Sequence, residues 1–146
     1  MRHRHHGNLV RIENFQHFTV VAQTLQQLAK RRAGDVVWFD FRAICGGPRS
    51  QNDYLEIATQ YHTVLLSNVP HMPVSMASEA RRFTWLIDVL YDRRVKLIMS
   101  AAVPPEGLYT AGPMSHEFPR TVSRLHEMQS SEFLALEHRT VDTHLT

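Results

Sequence analysis

Residues 62–102, HTVLLSNVPHMPVSMASEARRFTWLIDVLYDRRVKLIMSAA, decide the fold. The segment opens on a compact apolar run, Thr63-Val64-Leu65-Leu66, that stops at Ser67-Asn68-Val69-Pro70. After a turn-like stretch at 71–75, Met76, Ala80, Phe83, Ile87 and Leu90 recur at alternating steps of four and three, which is one face of a helix. A second short apolar run, residues 95–100, follows Asp92-Arg93-Arg94 and closes at Pro104-Pro105. Both runs are too apolar for a sheet with one wet face, so the reading is a parallel βαβ unit. Ligand sites of open α/β sheets lie at the carboxyl ends of such strands.

Working outward, Ser50 with Asp53 three residues on has the spacing of a capping box for a helix running to about Gln60, with Leu55, Ala58 and Tyr61 on its buried side. Cys45-Gly46-Gly47-Pro48 breaks the chain before it. From Phe18 to Phe41 the apolar period looks like two, with turn chemistry at Gly34-Asp35. This reads as strands joined by a hairpin, with the alternative that residues 20–32 form a helix, because Gln and Ala favour one. Downstream, residues 104–113 are a loop anchored by Leu108-Tyr109. A last helix is expected from Pro119 to about His138, with Val122, Leu125, Met128, Phe133 and Leu136 on its apolar side. The expected class is α/β: a mixed sheet with an N-terminal β-hairpin region, a central parallel βαβ unit and a C-terminal helix. Residues 1–17 are expected to be flexible or partly ordered, 18–138 to form one domain, and 139–146 a tail.

Composition narrows the function classes. A chain of 146 residues suits one domain that buries about 68–70% of its unfolded surface. No apolar run reaches the ~18 residues of a membrane span, and the histidine-rich start lacks the apolar core of a signal peptide, so a cytoplasmic protein is expected. The lone Cys45 rules out an internal disulfide. Fourteen arginines against two lysines are scattered rather than striped, so nucleic acid is not an expected partner.

A search for chemistry excludes more than it finds. A phosphate-cradling Walker loop needs glycines and a lysine followed by Ser or Thr, but Lys30 precedes Arg31 and Lys96 precedes Leu97. A Walker B strand at Thr63-Leu66 would end in acids; it ends in Ser67-Asn68. His126-Glu127 begins a zinc-protease pattern, but Ser130 stands where the second histidine belongs, so no metal site is expected. Cys45 with His62 could make a thiolate and its base, although a lone cysteine beside Gly-Gly is more often a small buried hydrophobe. Arg49, Asp53, Arg82, Asp88, Asp92, Arg93, Arg120 and Arg124 read mainly as caps and salt bridges. Arg120 and Arg124 share a helix face that an anion or acidic partner could use. No catalytic residue is assigned.

Several motifs stand in an order that carries a resemblance. These are Trp38-Phe39-Asp40-Phe41, Gly47-Pro48-Arg49-Ser50-Gln51-Asn52-Asp53-Tyr54, residues 62–70, Ala80-Arg81-Arg82-Phe83, Tyr91-Asp92-Arg93 and the run from Arg120 to Ser130. Together they resemble the C-terminal part of the ZapE family of cell-division ATPases, of the AAA-type P-loop class, which is related to mitochondrial ATPase-family-gene proteins. The resemblance implies a fragment of a longer ATPase whose nucleotide-binding motifs lie upstream. ATP and Mg are the cofactors of the full-length family, and none is expected in this chain alone, so whether the chain by itself is an enzyme stays open. Arg124 first and Arg120 second match the family's Arg-Thr-x-Ser-Arg-Leu run and are the candidate nucleotide-sensing arginines. The alternative reading is that both tie the last helix down. The implied partners are the upstream ATPase core and the tubulin-like division GTPase, with at most peripheral membrane association at the inner membrane or division site. A non-enzymatic interaction module for a division or quality-control partner is the alternative function.

Overall fold

The structure, a computed structural model, describes residues 2–6, 9–13, 31–33 and 36–139. Its main sheet has four strands, β3 (Arg31–Ala33), β4 (Val36–Asp40), β5 (Thr63–Val69) and β6 (Lys96–Ala101), in that spatial order. β3 pairs antiparallel with β4 across the two residues Gly34 and Asp35, whereas β4, β5 and β6 are parallel. A separate antiparallel pair, β1 (Arg2–His6) and β2 (Leu9–Glu13), precedes them. The mixed sheet, the hairpin into β4 and the parallel βαβ unit agree with the sequence reading. The residues that read either as strand or as helix, 18–30, lie outside the described residues.

Both crossovers step the same way across the sheet, β4 to β5 and β5 to β6. Right-handed crossovers then place all the intervening helices on one face. The first crossover carries α1 (Phe41–Cys45) and α2 (Gln51–Gln60), and the second carries α3 (Ala77–Asp92). Alternate strand residues pointing at those helices, Val37, Phe39, Val64, Leu66, Leu97 and Met99, belong to one core with Phe83, Leu86, Ile87 and Leu90 of α3. Phe83 is the hub of that core. Its ring lies 6.3 Å from Phe41 of α1 and 6.3 Å from Phe118 of α4 (Phe118–Glu127). Truncating it to Ala costs about 3–5 kcal/mol.

The helix ends follow from local chemistry. α2 begins at the expected capping box, with the Ser50 and Asp53 side chains each accepting from the other's backbone N–H. α3 ends in a Schellman turn: Arg94 sits at φ 60°, its N–H donates to the Tyr91 carbonyl, and the Val95 N–H donates to the Leu90 carbonyl. The loop after β6 is held by buried Leu108 and Tyr109, as expected, and its Leu108 carbonyl accepts from the Met72 N–H at 2.8 Å.

Three expectations need correction. Phe41, grouped with the strand, opens α1 instead, because the Asp40 carboxylate accepts from the Arg42 N–H and starts a helix there. On α2, Ala58 is buried as expected and Tyr61 is buried just past the helix end, but Leu55 is half-exposed and the face is completed by Tyr54 and Ile57. The last helix is not continuous to His138. It stops at Glu127, and Ser130 caps a new short helix, α5 (Ser131–Leu134), by accepting from the Phe133 N–H. That break turns the chain so that the Phe133 ring stacks on Tyr91 at 5.7 Å, and it leaves Leu136 exposed. Beyond it the Lys96 ammonium donates to the Leu136 carbonyl at 2.7 Å, the His138 ring nitrogen meets the Ala58 carbonyl at 2.6 Å, and the Arg139 N–H donates to the Arg93 carbonyl at 2.9 Å.

Candidate functional site

The carboxyl ends of the three parallel strands hold a polar cluster. The Trp38 indole donates to Ser67 Oγ at 2.9 Å, and the Ser67 hydroxyl faces both the Phe39 carbonyl and Asp40 Oδ1 at 3.4 Å. Asn68 Nδ2 donates to Asp40 Oδ1 at 2.7 Å. Asn68 adopts φ 64°, a left-handed conformation that Asn tolerates, at the point where the β5–β6 register shifts. The shift removes a ladder partner, and the Asn68 N–H donates to Ser100 Oγ at 2.9 Å instead. The cluster satisfies itself, with both Asp40 oxygens accepting from within the chain. The sequence singled out Ser67 and Asn68 only for the acids they replace. Their link to Asp40 needed the β4–β5 register to be seen.

The arginine pair lies on α4, where Thr121 and Leu125 face the core. Arg124 reaches α3: its guanidinium is ion-paired with Asp88 and lies over the Tyr91 ring, 4.7 Å from the centroid. Tyr91 donates to Glu127 Oε1 at 2.8 Å, and that hydrogen bond to a carboxylate holds the phenol above its ordinary range. Arg124, Tyr91, Glu127 and Asp88 thus form one strap between α3 and α4. Arg120, one turn earlier, is exposed, and its side chain has no hydrogen bond or ion pair to a described residue. At the far end of α4, His126 Nε2 meets Glu106 Oε2 at 2.6 Å, and this hydrogen bond lowers the Glu106 carboxyl from its ordinary value.

Cys45 does not meet His62. Cys45 follows the carboxyl end of β4 and His62 precedes the amino end of β5, so the parallel pairing sets them at opposite ends of the strands. Cys45 is fully buried and its thiol is pushed up to about 12, chiefly by desolvation. The thiolate reading fails on both counts. Among the described residues no group of three His, Cys, Asp or Glu side chains is placed to hold a metal ion. No helix among them is long and apolar enough to cross a membrane.

Comparison with known proteins gives these features a context. A family profile described as AFG1-like ATPase matches residues 5–137. The cell division protein ZapE of Escherichia coli K12 is 48% identical over 98 residues, covering 67% of this chain and 26% of its own length. An uncharacterized protein of Schizosaccharomyces pombe is 37% identical over 86 residues, covering 59% of this chain and 19% of its own length. Lactation elevated protein 1 homolog B of Danio rerio is 33% identical over 135 residues, with 70% and 27% covered. The chain thus spans about a quarter of the length of the curated relatives it matches. No solved structure matches it.

Proposed function

Because the chain belongs to the AFG1-like ATPase family, we propose that it works as the C-terminal α/β domain of a cell-division ATPase, catalytically silent alone and acting by contact with an ATPase core. The family implies ATP and Mg, and the described residues do not fit them. The end of β5 offers Ser67 and Asn68 in place of acids, and the Asp40 carboxylate is engaged by Asn68 Nδ2 and the Arg42 N–H. The observation that carries the reading is this pairing of a family match over 5–137 with strand ends that satisfy their own polar groups.

In this reading α4 is the face that meets the core. Arg124, first of the two candidates, is strapped to Asp88 and transmits position, while Arg120 projects outward with its guanidinium available to a phosphate or carboxylate across the interface. The location follows the function: the cytoplasm, at the division site, with the tubulin-like division GTPase as client. ATP turnover by the 146-residue chain tests the silence, and a robust Mg²⁺-dependent rate refutes it. Adding a separately expressed ATPase core from a relative tests the contact. Co-elution that R120Q weakens supports it, and absence of any complex at micromolar concentrations counts against it.

A further inference from the structure

Every residue from Ser131 to Arg139 is exposed except Phe133 and His138. Leu134 is 50% and Leu136 39% exposed, and only one other large aliphatic side chain among the described residues, Val74, is as open. This exposure is not the slack of a loose end. The Phe133 ring stacks on Tyr91, and the Lys96 ammonium lies 5.6 Å from the Phe133 centroid while donating to the Leu136 carbonyl at 2.7 Å. Just beyond, the His138 ring meets the Ala58 carbonyl at 2.6 Å and the Arg139 N–H donates to the Arg93 carbonyl at 2.9 Å. The backbone on both sides of the two leucines is thus pinned to the domain, and a surface fixed in advance loses little conformational entropy when something docks on it.

The charges around the leucines stand in a definite order. Glu132 and Arg139 lie equally far along the chain on either side of the Ala135-Leu136 peptide, both are exposed, and neither forms an ion pair with a described residue. Turned about a two-fold axis through that peptide, the segment brings Glu132 of each copy towards Arg139 of the other, with the leucines meeting at the centre. A patch whose acid and base are so placed is complementary to itself, which is the requirement of an isologous contact. Exposed leucines inside a charged rim have the anatomy of a protein interface. Glu132 and Glu137 beside them weigh against an anionic membrane as the occupant.

We propose that the segment from Ser131 to Arg139 is a docking surface for a second copy of this chain, a two-fold contact with Leu134 and Leu136 at its centre and reciprocal Glu132 to Arg139 ion pairs at its rim. So short a segment buries less than the ~1,200 Å² of total area at which stable complexes begin, so the dimer is a weak one that forms in the micromolar range and above.

Sedimentation velocity of the 146-residue chain from about 5 to 500 µM tests the proposal. The expected mass climbs from that of the monomer towards twice it and stops there, since a two-fold contact closes. The double variant L134S/L136S removes side chains that are already exposed, so its far-UV circular dichroism and Tm are expected to match wild type, while its self-association weakens at least about tenfold. V74S, equally exposed but past the carboxyl end of β5, should associate like wild type. Charge reversal gives the specific readout. E132R and R139E should each lose association alone, because each sets like charges opposite one another at both ends of the contact. An equimolar mixture should regain it, since every base of one variant then meets an acid of the other. R139E, at an exposed position hydrogen-bonded through its backbone N–H, keeps the test valid if E132R disturbs α5. A chain that stays monomeric throughout, a dimer that survives L134S/L136S or R139E, or folded charge variants that fail to associate when mixed, overturns the proposal.

Discussion

Arg124 and Asp88 offer the sharpest test of how α4 is held. Their side chains are 18% and 30% exposed, so the pair stands between exposed ion pairs, worth up to about 1 kcal/mol, and buried ones, where losing one partner costs about 3–5 kcal/mol. The stack of Arg124 on Tyr91 adds about 0.5–1 kcal/mol. R124M is therefore expected to lose about 2 kcal/mol, D88N about 1–1.5 kcal/mol, and the double variant about 2 kcal/mol rather than the sum, a coupling of about 1 kcal/mol. For a chain of this size about 2 kcal/mol lowers Tm by about 4–8 °C and shifts the urea midpoint by about 1 M. Urea unfolding followed by far-UV circular dichroism for the four proteins of the cycle gives each value. Additivity within about 0.3 kcal/mol would refute the strap between α3 and α4.

Cys45 should resist iodoacetamide at pH 8 in the folded chain and react promptly in denaturing urea, because its thiol is buried and pushed up to about 12; rapid labelling of the native chain, read by mass spectrometry, would contradict this packing. Glu106 has a folded pKa below its ordinary 4.5, so its contact with His126 contributes stability above that value and loses it as pH falls through the lower folded one. The stability difference between wild type and E106Q should accordingly shrink on acidification below about 4.5, which thermal melts across that range would reveal. R94G should stabilise the chain by about 0.5–1 kcal/mol, since glycine takes φ 60° without the steric cost that Arg94 bears at the end of α3; an unchanged or lower urea midpoint would show that the Schellman turn is not strained.

The parts of the fold that were legible in the sequence are those where one local signal decides the outcome. The steps of four and three over Met76 to Leu90 fixed the buried face of α3, and Ser50 with Asp53 fixed the start of α2. What failed was continuity. Val122 to Leu136 keeps an apolar period through the point where Ser130 restarts the chain, and periodicity does not register a capping serine in its middle. Asp40 was hidden for a similar reason, because alternation carried the strand reading one residue past the cap. The candidate arginines Arg120 and Arg124 were visible as a helix-face pair, but which one was engaged depended on Asp88, 36 residues away on another helix. Arg49 and Arg82 read, with the other arginines, as caps and salt bridges, but the Arg82 Nε donates to the Cys45 carbonyl and the Arg49 Nε is buried without a partner, neither of which shows before the fold is formed.

The restart at Ser130 has a consequence for how the chain is made. The carbonyls of Ala58 and Arg93 and the ammonium of Lys96 belong to the early and middle elements, yet their hydrogen-bond partners come from residues 136–139. On a ribosome those groups emerge first and stay hydrated while the sheet and α3 are already assembling. The clasp can close only after the last of those four residues has cleared the exit tunnel, so a nascent chain paused shortly before that point holds a nearly finished core whose seam is still open to water.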